Sequence, residues 1–349
     1  RLFLLHGESK YYDVLERSLY NGLISGVSLD GGGFFYPNPL ESMGQHQRQP
    51  WFGCACCPSN IARIIPSLPG YVYAVKDNNV YVNLFMSNTS TLDVKGKKVT
   101  IEQTTEYPWN GDIAIKVGAN KAGQWGMKVR IPGWVRNQVV PSDLYEYSDN
   151  LRPQYSIEVN GVKVEGKIEA DGYFTINRKW KKGDVVRVHF DMEPRTVRAN
   201  GMVEADRGFV AIERGPVVYC TEWPDNDFDL MGVLINQSPK MVVEDGTLHA
   251  KHAKEADYYI KVIKTDGQIL SFDKSGRLTT KDVRMTFIPY YAWCHRGSGK
   301  MRVWQAQDLN ASRPSKPATL ASLSKITAST PATSLSSISD RLVPKDGDD

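Results

Sequence analysis

Residues 71–304 repeat one pattern, in which short runs of alternating apolar and polar residues are separated by turn residues. Residues 157–159 and 162–164 are two such runs, and the Asn160-Gly161 dipeptide between them favours the tight turn of a β-hairpin. Because successive side chains of a strand point to opposite faces, each run offers one face to a core. A series of this length predicts two antiparallel β-sandwiches.

The first 70 residues have a different periodicity. Tyr12, Leu15 and Leu19 recur at the spacing of one helix face, and Asn21-Gly22 is a typical helix end. An aromatic run at residues 34–36 precedes two prolines, which predicts an extended segment. This part of the chain therefore predicts helices joined by irregular loops.

The turn signals set the expected boundaries. We expect residues 71–180 to form the first sandwich and residues 181–284 the second, with strands in 285–305 returning to the first. Two hairpins are expected inside these limits, one around Gly183 and one around Asp266-Gly267. The composition then shifts to Ser, Thr, Pro and Ala, which predicts a linker over 306–338 and the start of a truncated segment over 339–349.

Composition excludes two classes of partner. The 349 residues are 41% hydrophobic and 23% charged, which is typical of a globular protein. The net charge is only +4, with cationic and anionic residues interspersed, so there is no basic patch for nucleic acid. No apolar run reaches the length of a membrane span. We therefore expect neither nucleic acid nor a membrane as partner.

Three of the five cysteines, Cys54, Cys56 and Cys57, lie within four positions. Adjacent thiols make a strained disulfide and offer no packing advantage, whereas two thiolates suit a soft divalent metal such as Zn²⁺. If Pro58 begins a helix, Cys57 lies near its N-cap, where free N–H groups favour a thiolate. The alternative is a pair of inert thiols beside a turn.

Other residues with reactive or aromatic side chains are expected to be structural. We expect Cys54 to be a packed small residue and Glu16 to lie on a solvated helix face. The cysteines and tryptophans in the strand patterns are expected to pack in cores; these are Cys220, Cys294, Trp109, Trp134, Trp293 and Trp304. Glu41 is retained as a minor candidate for a position near a bound substrate.

Several segments together resemble one known family. They are residues 15–22, 28–31 and 34–36, the motif Trp51-Phe52-Gly53-Cys54-Ala55-Cys56-Cys57-Pro58-Ser59-Asn60 and the later segments 107–109, 130–134, 214–219 and 289–293. They resemble the bacterial beta-L-arabinofuranosidases of glycoside hydrolase family 127, and the related family 146 shares the cysteine site. The resemblance covers roughly residues 1–305, and its cysteine motif is specific.

The resemblance implies a fold and a site. The fold would be an (α/α)6 barrel, of which residues 1–70 are the C-terminal end, followed by two antiparallel β-sandwiches. A zinc ion would be held by a Glu-x-Cys motif and by the cysteine pair, with Cys56 as both ligand and nucleophile and Cys57 as ligand alone. Tyr36 matches an aromatic residue that contacts the sugar.

The implied function is that of a retaining glycoside hydrolase releasing L-arabinofuranose from an arabinose-containing glycan, with a homodimer through a sandwich as a further expectation. No Glu-x-Cys occurs in residues 1–349, so we expect the chain to be the C-terminal part of a longer enzyme and inactive alone. The acid/base Glu is also expected upstream. The alternative is a non-catalytic β-sandwich module that binds carbohydrate or a partner.

Overall fold

The computed structural model describes residues 1–251, 254–273 and 275–314. Four helices lie in the first 72 residues: α1 (Leu2–His6), α2 (Lys10–Ser18), α3 (Cys56–Ser67) and α4 (Pro69–Val72). A π-helical turn, Leu19–Leu23, and a 3-10 turn, Ile24–Gly26, continue α2. Within these ranges, no helix is long and apolar enough to cross a membrane. Most of the expected linker, and all of residues 339–349, lie outside the described residues.

The remaining elements are almost all strands. They are β1 (Glu41–Met43), β2 (Tyr73–Lys76), β3 (Asn79–Val82), β4 (Asn88–Val94), β5 (Lys97–Thr105), β6 (Asp112–Asn120), β7 (Gln124–Arg130), β8 (Tyr145–Tyr147), β9 (Tyr155–Val159), β10 (Val162–Lys163), β11 (Tyr173–Lys179), β12 (Val185–Phe190), β13 (Pro194–Ala199), β14 (Phe209–Arg214), β15 (Val217–Glu222), β16 (Val233–Ile235), β17 (Val242–Ala250), β18 (Ala256–Phe272), β19 (Leu278–Pro289), β20 (Lys300–Arg302) and β21 (Gln305–Ala306).

The first sandwich consists of a six-stranded sheet, ordered β10-β9-β12-β6-β5-β4, and a four-stranded sheet, ordered β11-β7-β3-β2. Alternate residues of both sheets fill one core, as the sequence pattern predicts; Val80, Ile115 and Met127 are fully buried in it. The hairpin predicted at Asn160-Gly161 is present, with Val162 opposite Val159.

The first sandwich extends further than residue 180. Strand β12 pairs with β6 and β9, so the six-stranded sheet reaches Phe190. Its expected hairpin partner, β11, instead pairs with β7 in the other sheet. The turn around Gly183 therefore carries the chain across the core. Alternation and turn residues are the same for such a crossing as for a hairpin, so the sequence pattern could not distinguish them.

The second β unit is one continuous eleven-stranded sheet rather than a pair of separate sheets. Its neighbours β15, β19, β18, β16, β21 and β14 pair in a closed ring, because β14 also pairs with β15. Val210, Ile212 and Phe287 are among the buried residues inside the ring. A second cluster of buried apolar residues, which includes Cys220 and Trp293, packs outside the ring. Strands β19 and β20 belong to this sheet and do not return to the first sandwich.

The hairpin expected around Asp266-Gly267 is absent, because these residues lie inside strand β18. Residues 256–272 form one uninterrupted strand through Asp266-Gly267, paired with β19 along ten residues. A Cβ at Gly267 would lie 2.6 Å from the Met285 sulfur and 2.7 Å from the Leu234 carbonyl oxygen. Glycine is therefore required here for close packing of neighbouring strands rather than for a turn.

The chain stays packed against this unit beyond the start of the expected linker. Strand β21 ends at Ala306, and Ala311 and Ser312 are both buried. The backbone N–H of Arg313 donates to the Met231 carbonyl. Residues 306–314 are thus part of the second β unit.

Helix α2 joins the helical segment to both β units through buried charges. Arg130 of β7 is fully buried and bonds Asp13 at 2.9 Å and Glu16 at 2.5 Å. On the same helix, Arg17 bonds Glu213 of β14 at 2.6 Å. The expectation that Glu16 faces solvent is wrong: it is 2% exposed, and burial raises its pKa despite the opposing effect of Arg130. Its partner lies 114 residues away, which no local pattern reveals.

We expect Arg130→Met to destabilise the protein by about 3–5 kcal/mol, because the buried Glu16 loses its cation, whereas Asp13 retains Arg136. The midpoint of urea unfolding, followed by tryptophan fluorescence, measures the change. Arg198→Met is the matched control: its pair with Glu146 is exposed and should contribute less than about 1 kcal/mol. Equal losses in the two variants would contradict the assigned role of the buried cluster.

Candidate active site

Two of the clustered thiols lie in the first turn of helix α3. The helix begins at Cys56, with Ala55 as N-cap, two residues earlier than Pro58 predicts. Cys56 and Cys57 therefore occupy the first two helical positions, where backbone N–H groups lack intrahelical partners and the dipole favours negative charge. Pro58 follows, where its missing N–H costs no helical hydrogen bond.

Tyr36 lies next to these thiols. Its hydroxyl oxygen is 3.9 Å from the Cys56 sulfur. The sulfur atoms of Cys56 and Cys57 are 3.8 Å apart. Hydrogen bonding by Tyr36, followed by that of Cys57, lowers the pKa of Cys56. Desolvation raises the pKa of Cys57, and so does its hydrogen bond to Cys56. These contacts therefore favour ionisation of Cys56 over ionisation of Cys57.

The Cys56 thiol donates to the Tyr36 hydroxyl oxygen, and Tyr36 becomes the donor when Cys56 is ionised. Desolvation, together with its hydrogen bonds to the neighbouring thiols, raises the pKa of its phenol. The hydroxyl thus keeps its proton at neutral pH and can donate it to a thiolate. The ring is 38% exposed and contacts Phe52, with the two centroids 4.2 Å apart. The side chain therefore remains partly accessible to a ligand.

The other cysteines divide into one exposed and two buried thiols. Cys54 is exposed, so its expected role as a packed residue is wrong. Its hydrogen bonding also contributes to the lowered pKa of Cys56. Cys220 and Cys294 are buried, as predicted, and burial raises the pKa of both. The thiols that solvent can reach thus lie within residues 54–57.

The geometry of the pair fits a shared metal. Two thiolates on one tetrahedral zinc, at about 2.3 Å each, lie about 3.8 Å apart. The Cys56–Cys57 sulfur separation is 3.8 Å. Within the described ranges, no group of three or more His, Cys, Asp or Glu side chains is placed to hold a metal. Cys56 and Cys57 are therefore two candidate ligands, and no third such side chain of the described residues is grouped with them.

The remaining candidates have structural partners. Glu41 bonds Arg302 and Arg313 on the second β unit. Trp134 and Trp293 are buried in the cores, as expected. Two further residues carried no sequence signal: Arg48, which is buried near the end of the loop that carries Tyr36, and His295, which accepts a hydrogen bond from Leu29. Each has one partner far away in the sequence, Trp293 for Arg48 and Leu29 for His295, and only the fold identifies these contacts.

Comparison with known proteins assigns each part of the chain to a family domain. Residues 1–70 match the model for "Beta-L-arabinofuranosidase, GH127 catalytic domain". Residues 79–192 match the GH127 middle domain, and residues 194–306 match the glycoside hydrolase family 127 C-terminal domain. The middle-domain match ends two residues after β12, in agreement with the sheet pairing.

Curated and solved relatives agree with this assignment. A "Non-reducing end beta-L-arabinofuranosidase" from Bifidobacterium longum subsp. longum is 31% identical, and the alignment covers 86% of this chain and 46% of that protein. A solved GH127 beta-arabinofuranosidase is 60% identical with a TM-score of 0.85, over 91% of this chain and 48% of that one. A GH127 beta-L-arabinofuranosidase from Geobacillus stearothermophilus T6 is 34% identical with a TM-score of 0.75, over 88% and 47%. The chain thus spans about half the length of these relatives.

We expect Tyr36→Phe to raise the pKa of Cys56, because the thiolate loses its main hydrogen-bond donor. Alkylation of Cys56 by iodoacetamide requires the thiolate, so its rate at pH 7 should fall severalfold and its pH midpoint should move upward. Peptide mass spectrometry resolves Cys56 from its neighbours. Tyr155→Phe, on the first sandwich, is the control, and an unchanged midpoint in Tyr36→Phe would show that the phenol does not act on this thiol.

Proposed function

Because the chain belongs to glycoside hydrolase family 127, we propose that it carries the nucleophile of a retaining glycosidase that releases terminal L-arabinofuranose from an arabinose-containing glycan. The observation that supports this best is the state of Cys56. It begins α3 inside the segment matched by the catalytic-domain model, and Tyr36 and Cys57 lower its pKa. A homodimer through one of the β units stays a prediction.

The proposed reaction has two displacements. The Cys56 thiolate attacks the anomeric carbon, a C–S bond forms, and the glycosidic C–O bond breaks as the leaving oxygen takes a proton from a general acid. Water then displaces the sulfur and gives up a proton to the same carboxyl group, so configuration is retained. The family resemblance assigns the general acid to a Glu upstream of the residue that matches Arg1.

Cys56 and Cys57 are the proposed ligands of a zinc ion that this chain shares with upstream residues. Bound zinc would keep both thiols deprotonated at neutral pH and would moderate their basicity. Tyr36 would hold the Cys56 sulfur by its hydroxyl while its partly exposed side chain contacts the sugar. Cys57, whose own pKa is raised, serves as a ligand rather than a nucleophile.

The helical segment is proposed to be part of an (α/α)6 barrel. Its surface exposes several large apolar side chains that other barrel helices would cover: Leu2, Leu4, Leu5, Trp51 and Ile65. Exposed large apolar side chains on one segment are consistent with an interface. The opposite side of the segment already packs on both β units through α2.

In the full-length protein, Cys56→Ser should lower kcat for an aryl β-L-arabinofuranoside by at least about 10³-fold, because serine is not ionised at neutral pH. Cys57→Ser should lose zinc and activity together, since one soft ligand is removed. Cys220→Ser makes the same chemical change in a buried strand and should retain kcat. Near-normal kcat in Cys56→Ser would refute the nucleophile assignment.

Expressed alone, residues 1–349 should hold clearly less than one zinc per chain. Two neighbouring thiolates bind metal weakly, because coordination free energy depends on a complete ligand set. Release of L-arabinose should also be negligible without the general acid, which typically contributes 10²–10⁴-fold. Stoichiometric zinc with turnover near that of the full-length protein would contradict the shared-site proposal.

A further inference from the structure

The loop that carries Tyr36 lies on the second β unit rather than on the helices. We define the site loop as residues 25–49, which lead from the end of α2 to the segment before the cysteine motif. We propose that residues 290–295 of the second β unit, together with Arg48, position Tyr36 against Cys56, with Trp293 and Arg48 as positioning residues. This inference rests on the proposed function, because it takes Tyr36 and Cys56 as the site.

Residues 290–295 contact the site loop along its length. The Tyr290 hydroxyl donates to the Pro39 carbonyl at 3.0 Å, and the Cys294 thiol lies 3.5 Å from the His46 carbonyl oxygen. The Leu29 backbone N–H donates to Nε2 of His295 at 2.9 Å. The strand pair β1–β20 holds the same loop at residues 41–43. Three residues of the 290–295 segment, together with β20, thus hold both arms of the loop.

A stack of three side chains fixes the centre of the loop, next to Tyr36. Phe35 is buried, and its ring lies parallel to that of Trp293, with centroids 5.1 Å apart and an interplanar angle of 18°. The Arg48 guanidinium carbon lies 4.3 Å from the Phe35 ring centroid. Phe35 is thereby held between a cation and an aromatic ring.

Arg48 binds backbone carbonyls of both the site loop and the 290–295 segment. It is 2% exposed, and its guanidinium donates to the carbonyls of Ser25 at 2.8 Å and Trp293 at 3.3 Å. Its Nε finds no acceptor among the described residues, and the carboxylates of Glu222 and Asp30 act on the guanidinium through space. Burying a cation without a carboxylate in direct contact costs folding free energy. The presence of Arg48 is therefore better explained by the loop geometry that it fixes than by a gain in stability.

His295 provides a contact that does not vary with pH in the working range. Burial lowers its pKa to about 3, so the ring is neutral. Nδ1 donates to the Ala292 carbonyl at 2.8 Å, which leaves Nε2 free to accept from Leu29. The facing charged groups are Arg48, which lowers this pKa further, and Asp30, which raises it.

The stack controls Tyr36 because the two aromatic residues are adjacent in an extended segment. Neighbouring side chains of such a segment point to opposite sides, so Phe35 enters the second β unit while Tyr36 faces Cys56. The Tyr36–Cys56 contact is 3.9 Å, at the long limit of a hydrogen bond to sulfur. A small displacement of Phe35 is therefore sufficient to break it.

A double-mutant cycle in the full-length protein tests this coupling. We expect Trp293→Leu to lower kcat about tenfold with little change in KM, and to slow alkylation of Cys56 as much as Tyr36→Phe does. In the Tyr36→Phe background, Trp293→Leu should add almost nothing to either effect. Trp293→Phe, which retains a stacking ring, should keep most of the wild-type kcat and most of the wild-type rate of Cys56 alkylation.

Trp125→Leu is the matched control, because Trp125 is equally buried but lies in the first sandwich. It should reduce stability and leave Cys56 alkylation unchanged. Additive losses in the cycle, or an equal effect of Trp125→Leu on alkylation, would overturn the proposal. If Trp293→Leu does not fold, Arg48→Lys replaces it, since lysine keeps the charge without the planar stack, and the same two criteria apply.

The two readouts separate this inference from the function on which it rests. Alkylation of Cys56, measured on the metal-free full-length protein, needs no turnover. A protein that releases no L-arabinose but shows the non-additive alkylation pattern would refute the proposed function and support the positioning role. A protein that releases L-arabinose but shows additive alkylation effects would support the proposed function and refute the positioning role.

Discussion

The buried contact of Arg130 with Asp13 and Glu16 determines where the helical segment lies. Helix α2 is only nine residues long, too short to be stable alone, so it depends on its tertiary contacts. Arg130 ties it to the first sandwich, and the pairing of Arg17 with Glu213 ties it to the second β unit. Asn21 extends this attachment by bonding the backbone of Pro216 and Val218. The two β units therefore form the base on which the catalytic-domain segment is held.

This arrangement divides the proposed site among separate parts of the chain. Helix α3 presents the two thiols in its first turn, and the site loop presents Tyr36, whose neighbour Phe35 is packed against Trp293. The family's C-terminal domain thus contributes to the geometry of the thiol site without supplying a ligand or nucleophile. Such a role explains why a buried histidine, a buried thiol and a buried tryptophan of residues 290–295 all contact one loop.

The sequence predicted the local pattern well and the long-range partners poorly. Alternation identified the strands of the first sandwich, and Asn160-Gly161 marked a real hairpin. Gly267 was misjudged, because a glycine needed for close strand packing looks the same as one needed for a turn. Glu16 escaped notice because Arg130 lies 114 residues away, and Arg48 escaped notice because Trp293, whose carbonyl it binds, lies 245 residues away. The cysteine motif was the exception, because its chemistry is contained in adjacent residues.

X-ray absorption spectroscopy at the zinc edge of the full-length protein tests the central claim most directly. The account predicts about one zinc per chain with sulfur ligands at about 2.3 Å, and a lower sulfur count in both Cys56→Ser and Cys57→Ser. Zinc coordinated only by nitrogen and oxygen, or a sulfur shell unaffected by either substitution, would contradict it.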